Sequence, residues 1–256
     1  MLLFLSPHYD DAIYSCGGAI YHRVKGGESV CILTVMGGEP MRLPSTPLVA
    51  ELHARWDAGK SPVIVRRAED AVAAVLLGAT ADYWQLPDCI YRTDADGNAL
   101  YPTGDHLWNT IHPNDPALAW LRQQPLPNGI TEIYAPLGVG GHVDHLIVRA
   151  WALELAARFN ISLWLYEEYP YRTQLEKRKL AYEQVAKLAL NPVRFQLTDA
   201  GVRAKIEGVK AYRSQVSTFW ADVPSLERDV LAAMQPTPSD RPFEMFFRLQ
   251  ASGQQG

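Results

Sequence analysis

The chain has 256 residues, 48% of them hydrophobic and 20% charged, with a formal charge of -4. That length allows one large domain with a substantial buried core, and ordinary Gly and Pro usage excludes a fibrous or largely disordered chain. A mildly acidic balance gives no general attraction for nucleic acid or an anionic membrane, so no nucleic-acid partner is expected.

The N-terminal run Met1-Leu2-Leu3-Phe4-Leu5 lacks a basic flank and a long apolar stretch, unlike a secretory signal. No apolar run reaches the roughly 20 residues that span a bilayer. Cys16, Cys31 and Cys89 are odd in number and widely spaced, forming neither a disulfide framework nor a metal knuckle. Cytoplasm is the expected compartment, with no membrane span.

In chain order, Leu2 to Ser6 reads as a short buried strand that runs into Pro7-His8-Tyr9-Asp10-Asp11. Ala12 to Lys25 has helical spacing and stops at Gly26-Gly27; Ser29 to Met36 is a β-branched run of strand length. This βαβ unit favours a parallel sheet. Residues 39–62 read as a loop, Val65 to Leu77 as a helix closed by Gly78, and Asp82 to Leu86 as a strand. From about 87 to 128 the period is lost, and the segment is expected to be an irregular insertion with a hairpin and short helices. A turn is predicted at Asp94-Ala95-Asp96-Gly97-Asn98, where a calcium loop would need a twelfth-position Glu that is absent.

Ile130 to Pro136 is a further strand. It leads through Gly138-Val139-Gly140-Gly141 to His142-Val143-Asp144-His145 and a helix to about Phe159. Ile161 to Tyr166 is predicted as a strand, Thr173 to Leu190 and Asp199 to Tyr212 as helices, and Pro242 to Leu249 as a last strand. Within the first of those helices, Lys177-Arg178-Lys179 reads as a solvated face. The expectation is a single α/β domain over 1–256: Rossmann-like, three-layered, with a mostly parallel sheet and helices on both faces.

Ligands of such sheets bind beyond the carboxyl ends of the strands. Two polar clusters stand at such ends, His8-Tyr9-Asp10-Asp11 and His142 to His145. A catalytic zinc takes three protein donors and leaves a position for water. One His and one Asp from the first cluster and one His from the second supply that set. A spare carboxylate could then take a proton from the water, and a spare imidazole could serve the leaving nitrogen or the oxyanion. Either cluster alone is equally explained by helix capping or by a surface histidine pair.

The segment Ser6-Pro7-His8-Tyr9-Asp10-Asp11 with Cys16-Gly17-Gly18, together with His142-x-Asp144-His145, resembles the signatures of the PIG-L/LmbE-like deacetylases. Arg66-x-x-Glu69 and Tyr212-Arg213-Ser214-Gln215 resemble two lesser motifs of that family. The resemblance implies zinc on His8, Asp11 and His145 (Fe2+ or Mn2+ being alternatives), with Asp10 as the general base that activates the metal-bound water. It also implies His142 as general acid or oxyanion stabiliser, Asp144 as the orienter of a neighbouring imidazole, and Arg66 as a substrate contact. The substrate implied is a small-molecule N-acetylated sugar or conjugate of the N-acetylglucosamine type. The alternatives are hydrolysis of another amide conjugate and a non-catalytic sugar-binding relic; a homo-oligomer is left open. Tyr9 and Ala12 depart from the family's usual Pro and Glu.

Glu167-Glu168-Tyr169-Pro170-Tyr171 follows a strand. Glu168 is expected to bind sugar hydroxyls there and Tyr169 to stack on a sugar ring, with a rim that only packs and turns at Pro170 as the equal alternative. Tyr91, Tyr101 and Trp108 of the insertion are further rim candidates, whereas His106 and His112 are expected to be loop residues. His22 and His53 are expected on helix surfaces.

Overall fold

The computed structural model describes residues 1–56 and 61–250. One seven-stranded sheet organises the chain: β1 (Leu2–Ser6), β2 (Val30–Thr34), β3 (Thr80–Tyr83), β4 (Glu132–Pro136), β5 (Ser162–Tyr166), β6 (Leu190–Gln196) and β7 (Phe243–Leu249). Its order is β3-β2-β1-β4-β5-β7-β6. The first five strands run parallel, while β7 is antiparallel to both β5 and β6. Strand β1 is buried throughout and apolar from Leu2 to Leu5 because both sheet faces are covered, as in other parallel sheets. Phe4 packs with Ile13, Ile32, Leu77 and Val209 on one face; Leu3 and Leu5 pack with Leu33, Ile133, Ile147 and Trp151 on the other.

The helices are α1 (Asp11–Lys25), α2 (Pro47–Trp56), α3 (Pro62–Leu77), α4 (Ala117–Leu121), α5 (Val143–Phe159), α6 (Leu175–Val185), α7 (Asp199–Lys210), α8 (Arg213–Phe219) and α9 (Val223–Met234). Helix α3 starts on Ser61, whose hydroxyl accepts from the Ile64 N–H, and ends on Gly78 in the left-handed region. Among the described residues, no helix is long and apolar enough to cross a membrane.

The order β3-β2-β1-β4-β5 reverses direction between β1 and β4, which opens a crevice outside their carboxyl ends. Both polar clusters therefore leave the sheet at the same crevice.

Several elements differ from the sequence reading. The span 39–62 contains α2. The helix predicted to Leu190 stops at Val185, and Leu190 begins edge strand β6, which exists through its pairing with β7. Helices α8 and α9 were not anticipated. The 87–128 segment does carry short helical turns and an isolated Thr93–Ala99 bridge. Asp94 Oδ1 accepts from the Asp96 and Asn98 N–H groups, the geometry of a turn.

The Gly17-Gly18 pair has a packing cause. The Gly18 and Ala19 N–H groups donate to the two oxygens of buried Glu244, and Lys205 Nζ donates to Glu244 at 2.8 Å and to the Ser15 carbonyl. A Cβ on Gly18 would lie 2.7 Å from Leu197, so a side chain there would push this junction apart. The two lesser motifs also meet. Glu69 accepts from the N–H and hydroxyl of Ser214, and Tyr212 lies 2.6 Å from Asp70.

Candidate active site

Strand β1 ends at Ser6, whose hydroxyl donates to the His8 carbonyl and accepts from the Ala12 N–H. That turn, together with the His8 N–H donating to Asp11 Oδ2 at 2.8 Å, holds His8 over the start of α1. From β4, the Gly138–Gly141 loop delivers His142 as the N-cap of α5, with His145 one turn further on.

The clusters converge on one oxygen. Asp11 Oδ2 lies 3.2 Å from His8 Nδ1 and 3.2 Å from His145 Nε2. Each imidazole has a carboxylate behind it. His8 Nε2 is 3.0 Å from Asp144 Oδ2, and His145 Nδ1 is 3.1 Å from Glu168 Oε1. Each ring therefore has a carboxylate at both nitrogens, and a hydrogen held on the outer nitrogen by the acid behind it would free the inner one to face an ion.

Ring nitrogens of His8, His142 and His145 also lie within 4.8 Å of one another, as do ligating atoms of Cys89, His142 and Asp144. These groupings leave out Asp11. Asp11 is nonetheless the carboxylate that an inner nitrogen of both His8 and His145 meets, at 3.2 Å each. His142 then stands beside the same point, its Nδ1 already accepting the Asp144 N–H at 3.3 Å. That bond leaves the His142 hydrogen on Nε2, facing the cluster.

The electrostatics point the same way. Burial pulls His8 down, but Asp88, Asp11 and Asp144 outweigh it and raise its pKa well above the ordinary value. For His145, Asp11 and Glu168 overcome burial and push it up to about 9. Asp11 is held well below the carboxylate range, its burial outweighed by the two imidazoles. Burial and the neighbouring His8 and His145 drive His142 down to about 3. Asp10 is raised, chiefly by burial, against the pull of Arg66. The inner pair of imidazoles thus sits in a potential that demands positive charge. The two 3.2 Å Asp11–imidazole distances are close to what an ion with bonds of about 2.0–2.2 Å would require at roughly tetrahedral angles, so the chemistry of these donors fits a divalent cation.

The remaining expected residues fall as follows. Arg66 is buried, its Nη2 is 3.4 Å from Asp10 Oδ1, and its guanidinium stacks over Trp56 and Tyr9. Tyr9, where the family usually has Pro, gives Arg66 a ring to rest on and bonds the Gly37 carbonyl. Ala12 is fully buried. Glu168 is not on the rim: fully buried, it accepts from the Gly138 and Val139 N–H groups as well as from His145. Tyr169 also turns inward, stacked on Trp220. Tyr171 is the member of that segment that borders His145, with ring centroids 6.2 Å apart.

Sequence reading missed Asp88, Cys89, Arg92 and Asp115. Asp88 Oδ2 is 3.6 Å from His8 Nε2, and with Arg66, Tyr9, Trp56 and Tyr91 it lines a small cavity beside the cluster. The Cys89 N–H donates to Asp144, and buried Arg92 bridges Asp144 and Asp115. Asp88 did carry one signal, an acid a few residues beyond a strand on the carboxyl side of the sheet.

Comparison with known proteins identifies the family. The model of the PIG-L family, GlcNAc-PI de-N-acetylase, matches residues 3–156. The chain is 26% identical over 224 residues to the 2'-N-acetylparomamine deacetylase of Niallia circulans, covering 76% of this chain and 80% of that protein. It is 28% identical over 217 residues to the protein of the same name from Streptomyces fradiae, covering 83% and 72%. The solved structure of the zinc inhibited form of teicoplanin deacetylase Orf2 superposes with a TM-score of 0.78 at 22% identity, covering 99% of each chain; it speaks for the fold. Since the family match spans more than half the chain and contains both clusters of the crevice, the protein belongs to the PIG-L family and is an N-deacetylase.

Proposed function

We propose that the protein removes acetyl from an N-acetylated sugar conjugate of the N-acetylglucosamine type, with zinc held by His8, Asp11 and His145. The observation that carries this reading is the pair of inner imidazole nitrogens meeting one Asp11 oxygen, each ring backed by a carboxylate. The relatives named for N-acetylparomamine support the sugar class. A divalent cation bound there supplies Lewis acidity toward a carbonyl oxygen and makes water a usable nucleophile near neutral pH.

The chain's own groups do the rest. Asp10, adjacent to a ligand and raised by burial, accepts the proton of the attacking water. Arg66 limits that rise and keeps the Asp10 carboxylate facing the crevice. His142, neutral with its hydrogen on Nε2, donates a hydrogen bond to the oxyanion as the tetrahedral carbon forms. Its depressed pKa favours that role over delivery of a proton from an imidazolium. Asp144 and Glu168 hold the His8 and His145 rings. The proton taken up by Asp10 passes to the nitrogen as the C–N bond breaks, and acetate and the free amine leave.

The test pairs metal analysis of protein purified without chelators with acetate release from N-acetylglucosamine glycosides. Asp10→Asn is expected to retain metal and lose turnover by about 10²–10⁴-fold. Wild-type turnover by that variant would remove Asp10 from the mechanism. Iron(II) and manganese(II) suit the same donors, and reconstitution with each ion separates them from zinc. Acyl-amino conjugates in the same assay separate the other amide class, and absence of both metal and acetate would favour the relic.

A further inference from the structure

The mouth of the crevice carries an aromatic and cationic group that deacetylation itself does not use. Trp108 comes from the 87–128 insertion and bridges His142 through the backbone. The next residue, Asn109, has φ of 66° and donates its N–H to the Gly141 carbonyl at 2.6 Å. Gly141 is at φ 73°, and a Cβ there would fall 2.0 Å from Asn109 Oδ1; one on Gly140 would meet the Tyr171 ring at 3.0 Å. These two glycines let the insertion and the Tyr171 segment close on the His142 loop.

The result is an angular wall. The Trp108 ring stands edge-to-face to His142 at 5.3 Å and to Tyr171 at 5.9 Å. Lys177 from α6 places its ammonium 5.3 Å from the Trp108 centroid and 5.0 Å from that of Tyr171. The solvated helix face expected at Lys177-Arg178-Lys179 is thus turned at its first residue onto the active-site rim.

Four neighbouring arginines have acids, and Arg149 is met by the Leu137 carbonyl and the Gln184 amide oxygen. Arg66 faces Asp10, Arg92 faces Asp115 and Asp144, and both Arg172 and Arg178 face Glu167. Lys177 has no carboxylate or hydrogen-bond partner among the described residues, and it is half-buried against two rings. Burial lowers its pKa, and no acid offsets the fall. An ammonium kept so close to apolar surface gains from a counter-charge that the protein does not supply.

We propose that Trp108, Tyr171 and Lys177 form a subsite for an anionic group, such as a carboxylate, on the part of the conjugate that lies beyond His142. Trp108 and Tyr171 flank the adjoining ring or chain, and Lys177 meets the charge. This narrows the substrate class and rests on the deacetylase reading.

The test compares para-carboxyphenyl and para-carbamoylphenyl N-acetyl-β-glucosaminides, which differ in charge and little in shape. The wild type is expected to prefer the carboxylate in kcat/KM by about tenfold, as a charge-assisted hydrogen bond does. The preference should fall toward unity in Lys177→Met, persist in Lys177→Arg, and weaken with salt. Equal turnover of both glycosides by the wild type, or an unchanged preference in Lys177→Met, overturns the subsite and leaves the deacetylase reading intact. If neither glycoside is deacetylated, that reading fails for these sugars, and calorimetry with the deacetylated para-carboxyphenyl glucosaminide decides the subsite. Binding that depends on Lys177 upholds it, and its absence overturns it.

Discussion

Helix α1 touches two buried charge clusters, and they are built on opposite plans. In its middle, Glu244 accepts from the Gly18 and Ala19 N–H groups and from Lys205, whose ammonium also reaches the Ser15 carbonyl. That cluster is complete: one acid, one base, and donors for both oxygens. At the start of α1, by contrast, Asp11, Asp144, Glu168 and Asp88 surround two imidazoles whose inner nitrogens both turn to one oxygen. That cluster needs added positive charge. A buried ionic group that balances itself holds the fold together, whereas one that is left unbalanced toward a crevice marks where something binds.

The contrast is broken most forcefully at the complete cluster. Glu244→Ala strands Lys205 and two N–H groups in the core and should cost about 3–5 kcal/mol, read as a fall in denaturant midpoint. Metal content per folded chain should stay as in the wild type. A midpoint near that of the wild type would mean that the pair is not what joins α1, α7 and β7.

An effect no larger, and dependent on pH, is expected at Asp70, which Tyr212 links to the Tyr9 carbonyl. Burial pushes its carboxyl up to about 7, against the hydrogen bonds of Tyr212 and Tyr83. Tyr212 has one hydrogen and faces both Asp70 and the Tyr9 carbonyl, so a protonated Asp70 completes the set. A folded pKa raised above the unfolded value of 3.8 means that the folded state binds the extra proton between those values. Stability therefore falls as pH rises from about 4 to about 7, by roughly 4 kcal/mol at most, and levels off above. Unfolding midpoints across that range check the slope, and Asp70→Asn should flatten it. A slope that is the same in the variant would assign it elsewhere.

The incomplete cluster is sharpened by Glu168→Gln. Losing the carboxylate behind His145 should weaken metal affinity about 10–100-fold, with activity returning as metal is added. Unchanged affinity in a metal-competition titration would separate Glu168 from the ion and return it to a purely structural role under the Gly138 loop.

Much of this was legible in the chain. The β1 apolar run, the Gly26 and Gly78 stops, and the two His/Asp clusters depend on local pattern, and local pattern survives without tertiary context. Glu168 was misjudged because its position after a strand suits a rim residue equally well. What turns it inward is a pair of N–H groups 29 and 30 residues away. Strand β6 was not legible, and the predicted helix ran on to its first residue, Leu190, because its partner, β7, begins near residue 243.

By itself the sequence determined the strand–helix order and which side chains are chemically able to hold an ion, since periodicity and residue type are properties of short segments. Only the tertiary structure decided which ring nitrogen faces Asp11, which acid stands behind each imidazole, and that Trp108 and Lys177 reach the same mouth. Those are relations among atoms brought together by chain reversal at the β1–β4 switch, and no local run of residues encodes them.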